Sequence, residues 1–259
     1  MVADGVVDAW FTKGDDMTPA PAPRSLNRLV LEQIRVLVVA GIGTGAIVVG
    51  IGSRLAMLAL RLTSPDSVIG RQSDDDFTIG EFTLGGSYNL LLLGAAVGII
   101  GVAAYQCVAP RLIGPLWFQR LTVALASGVV VGSMLVHADG IDFRVLKPMW
   151  LAIGLFVLLP ALFGAAIGAV VDRVSDPTLN ARGRVRWILP VVLFACFPLT
   201  IVVLAPGALI FTIWLGVRER TPLMAWTRSR PATLLARAGW LGIAVLGLVA
   251  LVGDVTALT

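Results

Sequence analysis

Charge is scarce in this chain. Asp, Glu, Lys and Arg make up 14% of its 259 residues, against about 25% in an ordinary soluble domain. Hydrophobic residues take 57%, and no polar stretch is long enough to build a separate soluble core. Histidine occurs once, at His137, which excludes the paired histidines of an HExxH zinc site. The two cysteines, Cys107 and Cys196, lack any CxxC or Cys/His setting, so neither a metal nor a disulfide framework is supported. Both fall in apolar runs and are expected to be buried, inert thiols. Also missing are a Gly-x-Ser-x-Gly elbow, a P-loop, and a dinucleotide fingerprint opening a helix after a strand. The chain is therefore expected to be no enzyme and to carry no cofactor.

What is present is a series of long apolar runs. A bilayer core takes about 20 apolar residues at 1.5 Å rise each. Barrel strands would alternate and run about 10 residues, so the expected fold is an all-α, polytopic helical transmembrane bundle. Val36 to Leu62 is the run around which the rest is organised. It holds Gly41, Gly43, Gly45, Gly50 and Gly52, with Thr44 as its only polar side chain before Ser53. Gly41-x-x-x-Gly45 is a small-x-x-x-small pair, so this half is expected to lie against other helices, where glycine permits close backbone approach.

The predicted spans are about 36–62, 88–109, 121–136, 148–171, 187–205, 207–217 and 238–252, within one membrane domain covering 26–254. Residues 1–25 read as a disordered cytoplasmic tail ending in a Pro-Ala alternation, with no signal peptide expected. Leu26 to Arg35 is amphipathic at helical spacing and fits a membrane-surface helix. Gly94-x-x-x-Gly98, Gly128-x-x-x-Gly132 and Gly164-x-x-x-Gly168 repeat the close-packing pattern. Trp187 to Val217 is too long for one straight span. Its Pro206-Gly207 dipeptide is a strong turn signal, so a hairpin hinged at Pro206 and Gly207 with short or partly re-entrant arms is expected. The count is seven, or six if 187–217 crosses once.

A few residues stand out as candidate site groups. Arg54 interrupts the first run, where a charge costs roughly 2.5–3.5 kcal/mol on insertion scales. It is expected either to snorkel or to pair inside the bundle, with Glu81, Asp139 and Asp142 within possible reach. Glu81, His137, Asp139, Asp142 and Arg144 form a candidate outer-face polar cluster, and Asp142 and Arg144 can pair within their own loop. Asp74, Asp75 and Asp76 beside that loop suit a hard cation. They lack the glycine and glutamate of an EF-hand loop, and a solvated acidic surface is the preferred reading.

Three stretches carry a resemblance: Arg54-Leu-Ala-Met-Leu-Ala-Leu-Arg61, Gly80-Glu81-Phe-Thr-Leu-Gly-Gly-Ser-Tyr-Asn-Leu90 and His137-Ala-Asp-Gly-Ile-Asp-Phe-Arg144. They are similar to an uncharacterised actinobacterial family of multi-pass integral membrane proteins. That resemblance implies a membrane bundle and no particular activity. Two functions stay open. One is a non-catalytic component of a membrane assembly, partnered by the bilayer and by another membrane protein or a second copy. The other is a small solute or ion transporter or channel using Arg54 and the hairpin 187–217.

Net charge is +4, but the basic residues sit in short loops, where they orient helices rather than bind nucleic acid. With a hairpin at 187–217, one side collects Lys13, Arg24, Arg28, Arg35, Arg111, Arg120, Arg173, Arg182, Arg184, Arg186, Arg218, Arg220, Arg228, Arg230 and Arg237. The other collects Arg61, Arg71, Arg144 and Lys147. This bias nearly vanishes if 187–217 crosses once. The expected setting is a bacterial cytoplasmic membrane, N-terminus cytoplasmic and C-terminus outside. A reporter enzyme active only in the cytoplasm, fused after Thr259, is expected to be inactive; activity would overturn this topology.

Overall fold

In the computed structural model, residues 26–65, 83–137, 147–176, 186–218 and 230–258 are described, together with 67 and 70. Every regular element among them is helical. Five helices are long and apolar enough to cross a membrane. The protein is a polytopic helical membrane bundle.

Helix α1 (Leu26–Val36) runs without interruption into two π-helical segments, Leu37–Ile42 and Gly45–Ile51, and then into α2 (Gly52–Thr63). The amphipathic helix and the first apolar run are thus one rod. It is the most enclosed part of the bundle: 61% of its apolar window is buried, against 11% to 28% in the other spans. Its neighbour is α3 (Leu84–Val108), and the two meet backbone to backbone at glycines. A Cβ added at Gly41 would lie 2.8 Å from Ile99 Cα, and one at Gly98 would lie 2.8 Å from Gly45 Cα. One at Gly94 would lie 2.6 Å from Gly45 O, and one at Gly50 would lie 2.9 Å from Leu91 Cα. The expected glycine packing therefore exists, and it pairs Gly41 and Gly45 with Gly94 and Gly98.

Helix α3 begins earlier than the predicted 88. Thr83 is its cap, accepting a hydrogen bond from Gly86 N at 3.1 Å, so the start is set by capping rather than by the first large apolar side chain. Helix α4 (Leu116–Leu135) starts just after Pro115, and α5 (Met149–Ser175) just after Pro148. Gly128 and Gly132 of α4 approach Val157 and Ala161 of α5. Ser127 Oγ lies 2.8 Å from Val123 O and 2.9 Å from Pro160 O. Its single proton can thus tie the kink-prone proline turn of α5 to α4.

The segment after α5 departs from expectation. Helix α6 (Ile188–Cys196) and helix α7 (Ile201–Arg218) are joined by a turn of 3-10 helix at Pro198–Thr200, with a bend of 99°. The break is at Phe197, not at Pro206-Gly207. Proline forces the residue before it out of the helical region, and Phe197 indeed sits at φ −129, ψ 61. Pro206 instead lies inside α7, a position that membrane helices tolerate. The predicted arms 187–205 and 207–217 are thereby corrected. Helix α8 (Arg230–Leu258) packs on α4 through Gly247, and its Leu251 joins Leu60, Val136 and Ala152 in a small core.

Contacts fix which ends lie together. Arg35 reaches Val174 O, Arg120 reaches Asp172, and Arg237 reaches Arg111 O. So α1, α4 and α8 begin at the end of the bundle where α3 and α5 finish. The opposite end joins Ser64 to Lys147. Arg186, just before α6, touches Glu32, and α7 returns to contact α1. Arg186 and Arg237 therefore lie at the same end of the bundle.

Glycines at and away from contacts give a paired test. Gly98→Val is expected to lower stability by roughly 1–3 kcal/mol through overpacking, read as a lower Tm in detergent. Gly154→Ala, with nothing within 4 Å of the new methyl, is expected to leave Tm unchanged or raise it slightly.

Candidate functional site

The most developed polar arrangement lies at the end where α1 begins. Arg35 is buried at 6% exposure, on the last turn of α1. Its Nε donates to Glu32 Oε2 at 2.9 Å and its Nη2 to Val174 O at 2.7 Å. The second bond satisfies a carbonyl in the last turn of α5, which has no helical N–H ahead of it, and brings a cation to that helix's negative end. Glu32 Oε1 in turn holds Arg186 Nη2 at 2.7 Å. One carboxylate thus bridges two guanidiniums on α1 and before α6. Arg186 also lies over the Trp187 ring, 5.8 Å from its centroid.

The same end carries further links. Gln33 Nε2 donates to Gln106 Oε1, joining α1 to α3. Arg120 Nη2 meets Asp172 Oδ2 at 3.1 Å, joining α4 to α5. Arg237 Nε donates to Arg111 O at 2.9 Å, anchoring the start of α8. Each link crosses between helices at the level where the apolar stretches begin. An open cleft of about 290 Å³ lies between α1 and α6, lined by Leu31, Glu32, Arg186 and Trp187.

Away from that end, the break at Phe197 is closed by side chains. Tyr88 Oη donates to Cys196 O at 2.9 Å, and the Tyr88 ring stacks on Phe197. Thr200 Oγ1 donates to Phe197 O at 2.6 Å. The Cys196 and Phe197 carbonyls at the break are thus occupied, as irregular backbone in a membrane protein requires. Thr44, between the two π-helical segments, differs: its Oγ1 is buried and has no hydrogen bond.

Of the residues singled out in the sequence, Arg54 is half-buried on α2. Its Nε is enclosed without a hydrogen bond of its own, though the residue does not lack a partner. His137 is exposed at the end of α4, its Nδ1 3.3 Å from Leu135 O. Glu81, Asp139, Asp142 and Arg144 lie outside the described residues, as do Asp74, Asp75 and Asp76. Among the described residues no group of three His, Cys, Asp or Glu is placed to hold a metal. Cys107 and Cys196 are both exposed on the outer surface rather than buried as expected. Pro206 and Gly207 are exposed residues of α7 rather than a hinge.

Sequence reasoning assigned Arg35 and Arg186 only to the charge balance. The signal was there in Glu32 and Arg35, three apart on one helical face. The partner across the bundle, Arg186, had no local signature. Models of known families, characterised proteins and solved structures give no match to this chain.

Arg35→Ala removes a charged donor from a buried carbonyl and from Glu32. It is expected to cost roughly 1.5–3 kcal/mol per charged hydrogen bond lost, seen as a lower detergent Tm. Arg61→Ala, exposed at the other end of the first span, is expected to change stability by less than about 0.5 kcal/mol.

Proposed function

We propose that the protein is a non-catalytic integral component of a bacterial cytoplasmic membrane, an accessory or structural part of a larger membrane assembly. The observation that carries this reading is the close backbone packing of the first span on α3, with few polar side chains buried among the described residues. The first span and α3 touch through bare backbone. The described buried polar residues are Arg35, Thr44 and Thr200. Arg35 and Thr200 are committed to carbonyls within the bundle. Solute pathways normally have a richer lining of polar side chains than this.

In this reading the N-terminus is cytoplasmic and the C-terminus outside; the arginines gathered at the end where α1, α4 and α8 begin support it. The partner is another membrane protein or a second copy of the chain. The wide apolar faces of α4 and α8, whose apolar windows are only 11% buried, offer the surface for it. The resemblance to an actinobacterial membrane family is compatible with this role and adds no activity.

One observation favours a transporter or channel. The broken pair α6–α7 touches the π-helical first span, and the buried Thr44 hydroxyl there has no hydrogen bond. Broken helices and π-turns recur at functional sites in membrane proteins. Arg54 would be the charged group of such a pathway.

Purification from native membranes in a gentle detergent, followed by mass spectrometry, separates the two. A stoichiometric partner that survives high salt is expected. A lone chain that conducts solute when reconstituted in liposomes would overturn the structural reading.

A further inference from the structure

We propose that the cleft between α1 and the start of α6 binds the phosphate of an anionic phospholipid from the surrounding bilayer. The argument starts from the charge on its wall. Glu32 gives one oxygen to Arg35 Nε at 2.9 Å and the other to Arg186 Nη2 at 2.7 Å. Its single negative charge is thus answered by two positive ones, leaving a net excess of one. Arg35 is enclosed, whereas the Arg186 side chain remains 38% exposed. The excess positive charge is therefore presented by Arg186, at the cleft.

The geometry of that guanidinium suits phosphate. Glu32 contacts one of its nitrogens and the Trp187 ring backs the group at 5.8 Å. An arginine fork so held loses little freedom when it donates its other N–H groups to an oxyanion. A carboxylate partner does not cancel the site, because Glu32 is itself shared with Arg35.

The remaining walls select a lipid over a soluble anion. Leu31 and Trp187 supply apolar surface beside the charge. Next along the chain, Ile188 and Leu189 are 60% and 54% exposed, so the cleft is continuous with the lipid-facing surface of α6. A tryptophan where an apolar helix begins is an interfacial residue. Trp187 thus sets the cleft at headgroup depth, with acyl chains running down α6. The arginine-rich loops flank this end in sequence, and anionic leaflets attract such segments. The proposal rests on membrane embedding alone and holds under either functional reading.

The test is lipid retention by the full chain in detergent. Phosphatidylglycerol and phosphatidylcholine are added in equal amounts and the bound species counted by native mass spectrometry. Phosphatidylglycerol is expected to be retained preferentially, and Arg186→Gln to lower that retention about fivefold. Arg186→Lys is expected to fall between the two, and Arg61→Gln at the opposite end to match the parent. Equal retention of both lipids, or retention unaffected by Arg186→Gln, would overturn the proposal. Inorganic phosphate is run separately: displacement of the lipid by millimolar phosphate would assign the cleft to a soluble anion instead. Should Arg186→Gln fail to fold, a photoactivatable phosphatidylglycerol is crosslinked to the unmodified protein. Labelling of the peptides holding Leu31 and Trp187 supports the site, and labelling confined to other peptides overturns it.

Discussion

The backbone contact between the first span and α3 is the constraint on which the rest of the bundle depends. Lipid tails are as apolar as leucine, so burial of apolar side chains does little to hold one membrane helix on another. Association rests instead on close dispersion contact and on hydrogen bonds between helices. Here the glycines at 41, 45, 94 and 98 bring two backbones together with no room for a methyl group. The first span then becomes a central post. Ile42 and Ala40 are fully enclosed on it, and α5, α6 and α7 gather around the same core.

A second constraint is that polar groups within the bundle need partners in protein; the Thr44 hydroxyl is left without one, and elsewhere two devices supply them. At one end, a carboxylate on α1 links two arginines, and Arg35 also takes a carbonyl at the end of α5. Within the bundle, the break between α6 and α7 is closed by Tyr88 and Thr200. Both devices tie distant stretches of sequence to each other. They fix how α1, α3, α5 and the α6–α7 pair sit, which shape complementarity among apolar helices would specify weakly.

Much of the architecture was legible because membrane helices announce themselves by uninterrupted apolarity. The glycine pairs were legible too, because a missing side chain in such a run has few other uses. The helix starts were less so. Thr83 caps α3 through Gly86, but an exposed threonine before a glycine pair is a weak local signal. The break in the α6–α7 region was misplaced for a definite reason. Pro190, Pro198 and Pro206 look alike in sequence, and only the packed structure shows that the chain bends before Pro198, where Tyr88 and Thr200 take the Cys196 and Phe197 carbonyls. Pro206 stays in helix. Arg35 was legible as the last residue of an amphipathic helix, but nothing in the sequence shows that it reaches the end of α5.

Charge and geometry bear on the same topological question by independent routes. The arginine count separates two sides of the membrane only if 187–217 brings the chain back to the side it left. The contacts reach that condition without reference to charge. Arg186 meets Glu32 on α1, α7 returns to α1, and Arg237 meets Arg111 at the end of α3. A single crossing by the bent pair would have carried Arg237 to the end where Ser64 meets Lys147, the full length of the bundle away. The bend of 99° at Phe197 is what makes the return possible, since α6 with nine residues covers only about 14 Å at helical rise, roughly half a bilayer core. Tyr88 and Phe197 hold the pair at this bend, beside five longer helices that are each long and apolar enough to cross a membrane.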